Sequence, residues 1–299
     1  MAMITAFRLR FRSNVKAYLA LGIGVVIIGW SPLFIRWANA PGVVTAFYRV
    51  VIAVLVLGVP FLRKRRRSGH MARSTLCLAI ISGICFGLDL GLWTTGVTMS
   101  GVTTPTLLAN TAPVWVGLGA MLLFRERLRI GFWVGLALAM VGAALIIGVD
   151  RWSSVVGGTG STYGLMAGIF YGCFFLSGQK VRENLDTLSF FWIVGAGAAC
   201  ILGVTMLVLR QPLFGYEIST YLNFLYLGVI IQVGGWLAIT YALGRLSAAT
   251  VAPMMLAQPV ISAVLAHFLL GERLGLWQSF GGVAVLLGVL LVQFQRIRV

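Results

Sequence analysis

Residues 103–147, TTPTLLANTAPVWVGLGAMLLFRERLRIGFWVGLALAMVGAALII, form an apolar helix pair broken by Arg125-Glu126-Arg127, and the pattern occurs twice. A shift of 146 residues lays Pro113 on Pro259, Glu126-Arg127-Leu128 on Glu272-Arg273-Leu274, Gly135 on Gly281 and Gly142 on Gly288. The same ungapped shift carries Gly22-Ile23 onto Gly168-Ile169, Ser31 onto Ser177 and Arg36 onto Arg182. One register held over so long a distance marks a duplicated unit of about half the chain.

Composition excludes most other classes. The chain is 60% hydrophobic and 10% charged, with mean hydropathy +0.98, whereas a soluble domain is nearer half apolar and about a quarter charged. Its apolar residues fall in long uncharged runs, the pattern of helices that face lipid. The net charge of +16 does not point to nucleic acid, because the basic residues sit in short loops where they orient a membrane protein. Cys77, Cys85, Cys173 and Cys200 lie inside apolar runs without C-x-x-C spacing or a partnering His, and read as small core residues rather than metal or redox ligands.

Ten spans are predicted, at 17–35, 41–62, 74–96, 102–124, 130–149, 161–179, 187–209, 221–244, 246–270 and 274–295. Each has about the 20 residues needed to cross some 30 Å of hydrocarbon. The basic start and the run from Ala17 to Ile35 are too long for a secretory leader's apolar core of about 7–15 residues, so the run is kept as the first span. The chain is thus expected to be one all-α membrane domain, 1–299, holding five-helix repeats at 16–149 and 161–295. With the N-terminus inside, one side receives Arg8, Arg10, Arg12, Lys16, the Arg63–Arg67 run with Arg73, Arg125, Arg127, Arg129, Lys180, Arg182, Arg245, Arg296 and Arg298. The other receives only Arg36, Arg151, Arg210 and Arg273, which places both termini in the cytoplasm. Five spans per repeat is an odd number, so the second copy enters from the opposite face and the repeats are inverted. That arrangement recurs in secondary transporters, where exchanging the conformations of the two halves gives alternating access.

Within the spans the ionisable side chains placed deep in hydrocarbon are Arg49 and Asp89. Both fall roughly 10–12 Å below the outer surface at ~1.5 Å per residue, and each costs about 2.5–3.5 kcal/mol to insert. Two readings stand: a structural ion pair between the second and third spans, or an Asp89 that titrates or meets a substrate ammonium. Asn110, Gln179, Gln232 and Gln258 also belong against a cavity or a neighbouring helix. Asn110 and Gln258 precede Pro113 and Pro259, where a proline frees a carbonyl and makes either a fixed kink or a hinge. Trp30, Trp93, Tyr171, Trp236 and Tyr241 can cover an apolar side chain, hold an ammonium, or simply pack. Trp133, Trp152, Trp192 and Trp277 lie near span ends, as an interfacial belt does. Glu126-Arg127 and Glu272-Arg273 read as turns and caps, and the paired glycines as packing positions.

The order Gly29-Trp30-Ser31-Pro32, Arg49, Asn110-x-x-Pro113, Glu126-Arg127-Leu128, Tyr241-Ala242-Leu243, Gln258-Pro259 and Gly271-Glu272-Arg273-Leu274 resembles the drug/metabolite transporter superfamily. The likeness is to its EamA-type branch of ten-helix exporters, with a closer similarity to YddG-type amino-acid exporters, and it covers the chain from Lys16 to Phe294. The resemblance implies export of small polar metabolites, amino acids first, through a cavity lined by helices 1, 3 and 4 and their partners 6, 8 and 9. It matches Arg49 to the family's helix-2 arginine and leaves Asp89 outside the pattern.

The expected substrate-binding residues are therefore Trp30, Asp89, Trp93, Asn110, Tyr171, Gln232, Trp236 and Gln258, with Pro113 and Pro259 as hinges. The alternative is a multidrug exporter of lipophilic cations, for which Asp89 is the only intramembrane carboxylate in reach. An enzyme is not expected, since His70 and His267 are far apart and neither H-E-x-x-H nor a P-loop occurs. No cofactor or metal is expected. The expected partners are a small-molecule substrate and the bilayer of the cell inner (plasma) membrane, and a homodimer is compatible with this pattern. Alkaline phosphatase fused after Val299 should be inactive and a fluorescent protein fused there should fluoresce; the reverse would put the C-terminus outside.

Overall fold

The computed structural model describes residues 2–67, 71–100, 103–147, 159–271 and 275–297. Glu272-Arg273, Trp152 and His70 lie outside them. Among the described residues the helices form ten successive passes. Among the described residues nine stretches are long and apolar enough to span a bilayer: Val15–Ile35, Gly42–Arg66, Arg73–Val97, Thr104–Leu123, Ile130–Ile147, Thr187–Val208, Ile218–Leu243, Ala248–Leu269 and Leu276–Gln295. The sixth pass, Thr159–Arg182, has the length at 24 residues but is more polar. It packs on the third and fourth passes and presents Leu165, Met166 and Cys173 outward.

Three passes are interrupted near their middles. The first breaks at Trp30, between helices Ala2–Gly29 and Ser31–Ala38. The fourth breaks at Asn110-Thr111, between Thr103–Ala109 and Ala112–Leu123. The ninth passes through a 3₁₀ turn, Met255–Ala257, between Ala248–Met254 and Gln258–Leu270. Pro32, Pro113 and Pro259 each follow a break by two or three residues, where a proline lacks the N–H that would continue the ladder. The eighth pass stays continuous but widens into a π-helical segment, Leu227–Trp236.

The repeat symmetry is visible in contacts. The second pass packs on the seventh and the fifth on the tenth, while first-on-eighth and first-on-ninth mirror sixth-on-third and sixth-on-fourth. At the fifth–tenth crossing, Gly135 faces Gly288 and Gly142 faces Gly281. Each glycine thus meets the repeat mate of the other, the signature of a pseudo-two-fold axis passing between the two helices. A Cβ at Gly142 would stand 2.6 Å from Gly281 O and 2.6 Å from Val285 N, so the backbones touch as in small-residue membrane packing. The turns that precede these helices repeat as well. Arg125 takes φ 54° and its mate Gly271 takes φ 67°, and the Glu126 N–H closes on Ala120 O at 3.1 Å. Glu126-Arg127 is accordingly a turn element.

The face that carries both chain ends is tied across the two repeats. Gln179 donates to Glu126 at 3.5 Å and accepts from the Ala248 N–H. Arg182 donates to Thr240 O, Leu185 O and Thr187 Oγ1. Lys64 pairs with Asp186 at 2.9 Å, and Asp186 caps the seventh pass through the Leu188 and Ser189 N–H groups. Partial burial works to raise the Asp186 carboxyl, but its bonds with Lys64 and Ser189 prevail and hold it below the usual carboxylate range.

The cysteines do not enter the core as expected. Cys77, Cys173 and Cys200 are exposed and Cys85 is half-buried, because a thiol on the outer surface of a bundle rests against lipid at little cost. Trp192 stacks on Phe61 at 4.1 Å and donates to Val54 O, whereas Trp277 is exposed. Gly142→Val should destabilise the protein by about 1–3 kcal/mol through overpacking and lower its thermal unfolding midpoint. Gly22→Ala, with nothing within 4 Å of the added Cβ, should leave that midpoint unchanged, both read by fluorescence-detected size exclusion after heating.

Candidate functional site

Helical spacing gathers polar side chains around one cavity of about 450 Å³, within the range of small-molecule sites. Residues four apart share a helix face, and the lining follows that rule: Ser31 and Ile35, Asp89 and Trp93, Thr106 and Asn110, then Gln258, Ser262 and Ala266. Tyr171 and Trp236 complete the polar wall, and Ile28, Leu33, Leu90, Ile146, Ile147 and Met255 supply apolar surface.

Most of the lining comes from the ends of the first, third and fifth passes, the start of the fourth and the second half of the ninth, toward the face opposite the chain ends. Arg49 of the second pass, Tyr171 of the sixth, Trp236 of the eighth and Gln278 of the tenth complete it. On the other side the cavity is floored by packed aromatic rings: Phe86 lies 4.8 Å from Phe174 and 4.9 Å from Trp236, and Tyr171 lies 4.9 Å from Phe175. Phe86, Phe174 and Phe175 are fully buried. Below them stand the Gln179, Arg182 and Lys64 ties. The molecule is therefore open at one end and shut at the other.

The broken helices explain why polar groups survive here. The Gly29 carbonyl, freed at the first break, accepts from Ser262 Oγ at 2.7 Å. Thr111 Oγ1 donates to Leu108 O at 2.6 Å and accepts from Trp115 Nε1. Trp93 Nε1 donates to Thr106 Oγ1 at 3.0 Å, which fixes the indole against the cavity. Asn110 Nδ2 and Trp236 Nε1 are buried donors with no protein acceptor, and both residues line the same space. Orphaned buried donors are rare unless something else accepts from them.

Of the expected site residues, Asp89, Trp93, Asn110, Tyr171, Trp236 and Gln258 line the cavity, as does Pro259. Pro113 is buried just past the fourth-pass break and Trp30 packs beside the core at the first. Gln232, 1% exposed, stands behind the wall. It accepts from Arg49 Nε at 2.9 Å and Arg49 Nη2 at 2.7 Å, while Arg49 Nη1 points at Ser31 Oγ at 3.5 Å. Among the described residues Arg49 and Asp89 make no direct ion pair, against the first of the two readings, a structural salt bridge joining the second and third passes. The physical reason is that a carboxamide on the eighth pass already occupies the Nε–Nη2 edge of the guanidinium, with Ser31 at Nη1. Gln179 likewise serves the closed face rather than the cavity. Ser262, Thr106 and Gln278 also line the site; the first was legible from its i+4 spacing to Gln258, whereas Gln278 enters from a distant segment.

Comparison with known proteins completes the description. The EamA-like transporter family matches the chain twice, over residues 15–148 and 158–294. An uncharacterized transporter of Archaeoglobus fulgidus is 23% identical over 273 residues, covering 91% of this chain and 94% of that protein. A probable amino-acid metabolite efflux pump of Salmonella typhimurium is 27% identical over 188 residues, 60% of this chain and 62% of that one. A solved crystal structure shares the fold at a TM-score of 0.76 and 14% identity, covering 95% of this chain and 98% of that chain.

A cysteine placed at Ala263 on the cavity wall should react with a water-soluble maleimide in a variant lacking the four native cysteines. A cysteine at Phe175, on the floor side, should not, as read by mass shift of the intact protein.

Proposed function

Because this chain belongs to the EamA-like transporter family, a family of multi-pass membrane transporters, we propose that it exports small polar metabolites, amino acids first among them, by alternating access through the cavity described above. The observation that carries this reading is the presence of a buried carboxylate and of buried orphan donors among the residues that line one cavity. Asp89 meets the α-ammonium of the substrate, the Asn110 amide and Trp236 indole N–H donate to its carboxylate, and Trp93 covers its side chain. A zwitterion presents both charges a few ångströms apart, and each would otherwise be costly in a site shut away from water. The printed name of the Salmonella relative supports the same substrate class.

The protein works in this reading in the inner (plasma) membrane with both termini in the cytoplasm, so the open face is the outer one. Pro113 and Pro259 act as paired hinges, since each follows a helix break at the same repeat position. Closing the outer end around the first, fourth and ninth passes while the aromatic floor separates gives the inward-facing state. Outward direction follows the family.

The test is uptake of labelled leucine, phenylalanine and threonine into proteoliposomes, with and without a pH gradient. Wild-type protein is expected to show saturable uptake, and Asp89→Asn to raise KM by about 10–100-fold, the scale of losing a charged hydrogen bond of about 1.5–3 kcal/mol. Uptake driven by the gradient and abolished in Asp89→Asn would make this carboxylate a proton-coupling group as well. Uptake of tetraphenylphosphonium in place of any amino acid would transfer the cavity to lipophilic cations.

A further inference from the structure

Arg49 and Asp89 are opposite charges that line one cavity and are 4% and 7% exposed, yet they do not bond. Two buried opposite charges without competing partners would pair, because an uncompensated charge in a low-dielectric interior is strongly unfavourable. Gln232 holds the guanidinium instead. Gln232 Oε1 accepts from both Nε and Nη2 of the guanidinium, using one neutral oxygen where a carboxylate would normally use two. Such charge-assisted bonds are roughly twice as strong as neutral ones.

The position of Gln232 is itself constructed. The residue lies in the π-helical segment Leu227–Trp236, a geometry that is rare and tends to occur at functional sites. This segment is wedged between the first and second passes. A Cβ at Gly228 would stand 2.5 Å from Ile52 Cγ2 and 3.2 Å from Arg49 O, and one at Gly235 would stand 2.7 Å from Ile28 Cγ1. The eighth pass can come that close to Arg49 only because these two residues have no side chain.

We propose that Gln232 is a positioning residue that parks Arg49 away from Asp89, leaving the carboxylate free for the cationic end of a substrate. Arg49 is then a tethered competitor for the same carboxylate. Gln232 sets which cation Asp89 meets in the outward-open state without touching the substrate itself. The inference rests on the assignment of Asp89 as the cation-binding group, although its geometric half, the separation of Arg49 from Asp89, can be tested without any substrate.

The experiment uses the full chain in proteoliposomes and dicyclohexylcarbodiimide, a lipophilic reagent that modifies intramembrane carboxyls not held in an ion pair. Modification of the peptide carrying Asp89 is quantified by mass spectrometry, alongside the KM for labelled leucine. In Gln232→Leu, Arg49 is released onto Asp89: labelling should fall and KM rise, each by about tenfold, the scale of a buried charge-pair coupling. Gln232→Glu, which holds the guanidinium more firmly, should keep Asp89 labelling near that of the wild type. The double variant Arg49→Gln with Gln232→Leu removes the competitor and should recover labelling, a rescue that a merely structural role for Gln232 would not produce. Unchanged labelling in Gln232→Leu, or no recovery in the double variant, overturns the proposal whatever is transported. Should Gln232→Leu fail to fold, loss of Asp89 labelling in Gln232→Glu overturns it instead. The expected labelling pattern in a protein that moves no amino acid supports the role of Gln232 and overturns the amino-acid reading.

Discussion

Hydrocarbon offers no hydrogen bonds, so every interruption of a membrane helix must be answered from within the protein. This constraint organises the molecule. The first, fourth and ninth passes break at Trp30, Asn110-Thr111 and Met255–Ala257, and all three breaks border the one cavity. The Gly29 and Leu108 carbonyls beside two of these breaks are met by the Ser262 and Thr111 hydroxyls. A break on the lipid side would have no such remedy. Location of the breaks and location of the site are therefore one fact, and the prolines mark it in the sequence.

A second principle is the contrast between a symmetric frame and an asymmetric lining. The frame is symmetric down to the reciprocal contacts of Gly135 with Gly288 and Gly142 with Gly281, and the shared left-handed turns at Arg125 and Gly271. The lining is not. Under the 146-residue shift Arg49 falls on Gly195, Asp89 on Gly235, Asn110 on Leu256, Gln258 on Ala112, and Tyr171 and Trp236 on Val25 and Leu90. Duplication thus supplies two similar halves, while the polar side chains of the cavity occur singly.

The closed end depends on a different kind of interaction. Packed rings from the third, sixth and eighth passes form a floor; beneath it Gln179 and Lys64 join segments of both repeats, and Arg182 ties segments of the second. Much of this lock is hydrogen bonding to backbone carbonyls and to part-exposed side chains, each worth about 0.5–1.5 kcal/mol. Such ties are individually modest, so the closed end rests on their sum and on the packed rings above them.

The frame was legible in the sequence because its determinants are local or periodic. Hydropathy and length locate nine of the spans to within a few residues, the shift of 146 reveals the inverted halves, and Pro113, Pro259 and the glycine pairs survive as fixed marks in both copies. Six of the eight residues read as substrate-binding reach the cavity wall, since an ionisable or amide group deep in a span has few other places to go. What the sequence did not contain was which polar groups satisfy one another. Arg49 and Asp89 lie 40 residues apart and at the same depth, which made them natural partners on paper. The tertiary structure instead brings Gln232 to Arg49 from 183 residues away, through a π-helical segment and two close glycine contacts that no spacing rule encodes. Depth in the membrane is fixed by position along one helix and can be counted from sequence. Pairing across helices depends on the rotation and approach of each helix, which only the packed bundle decides.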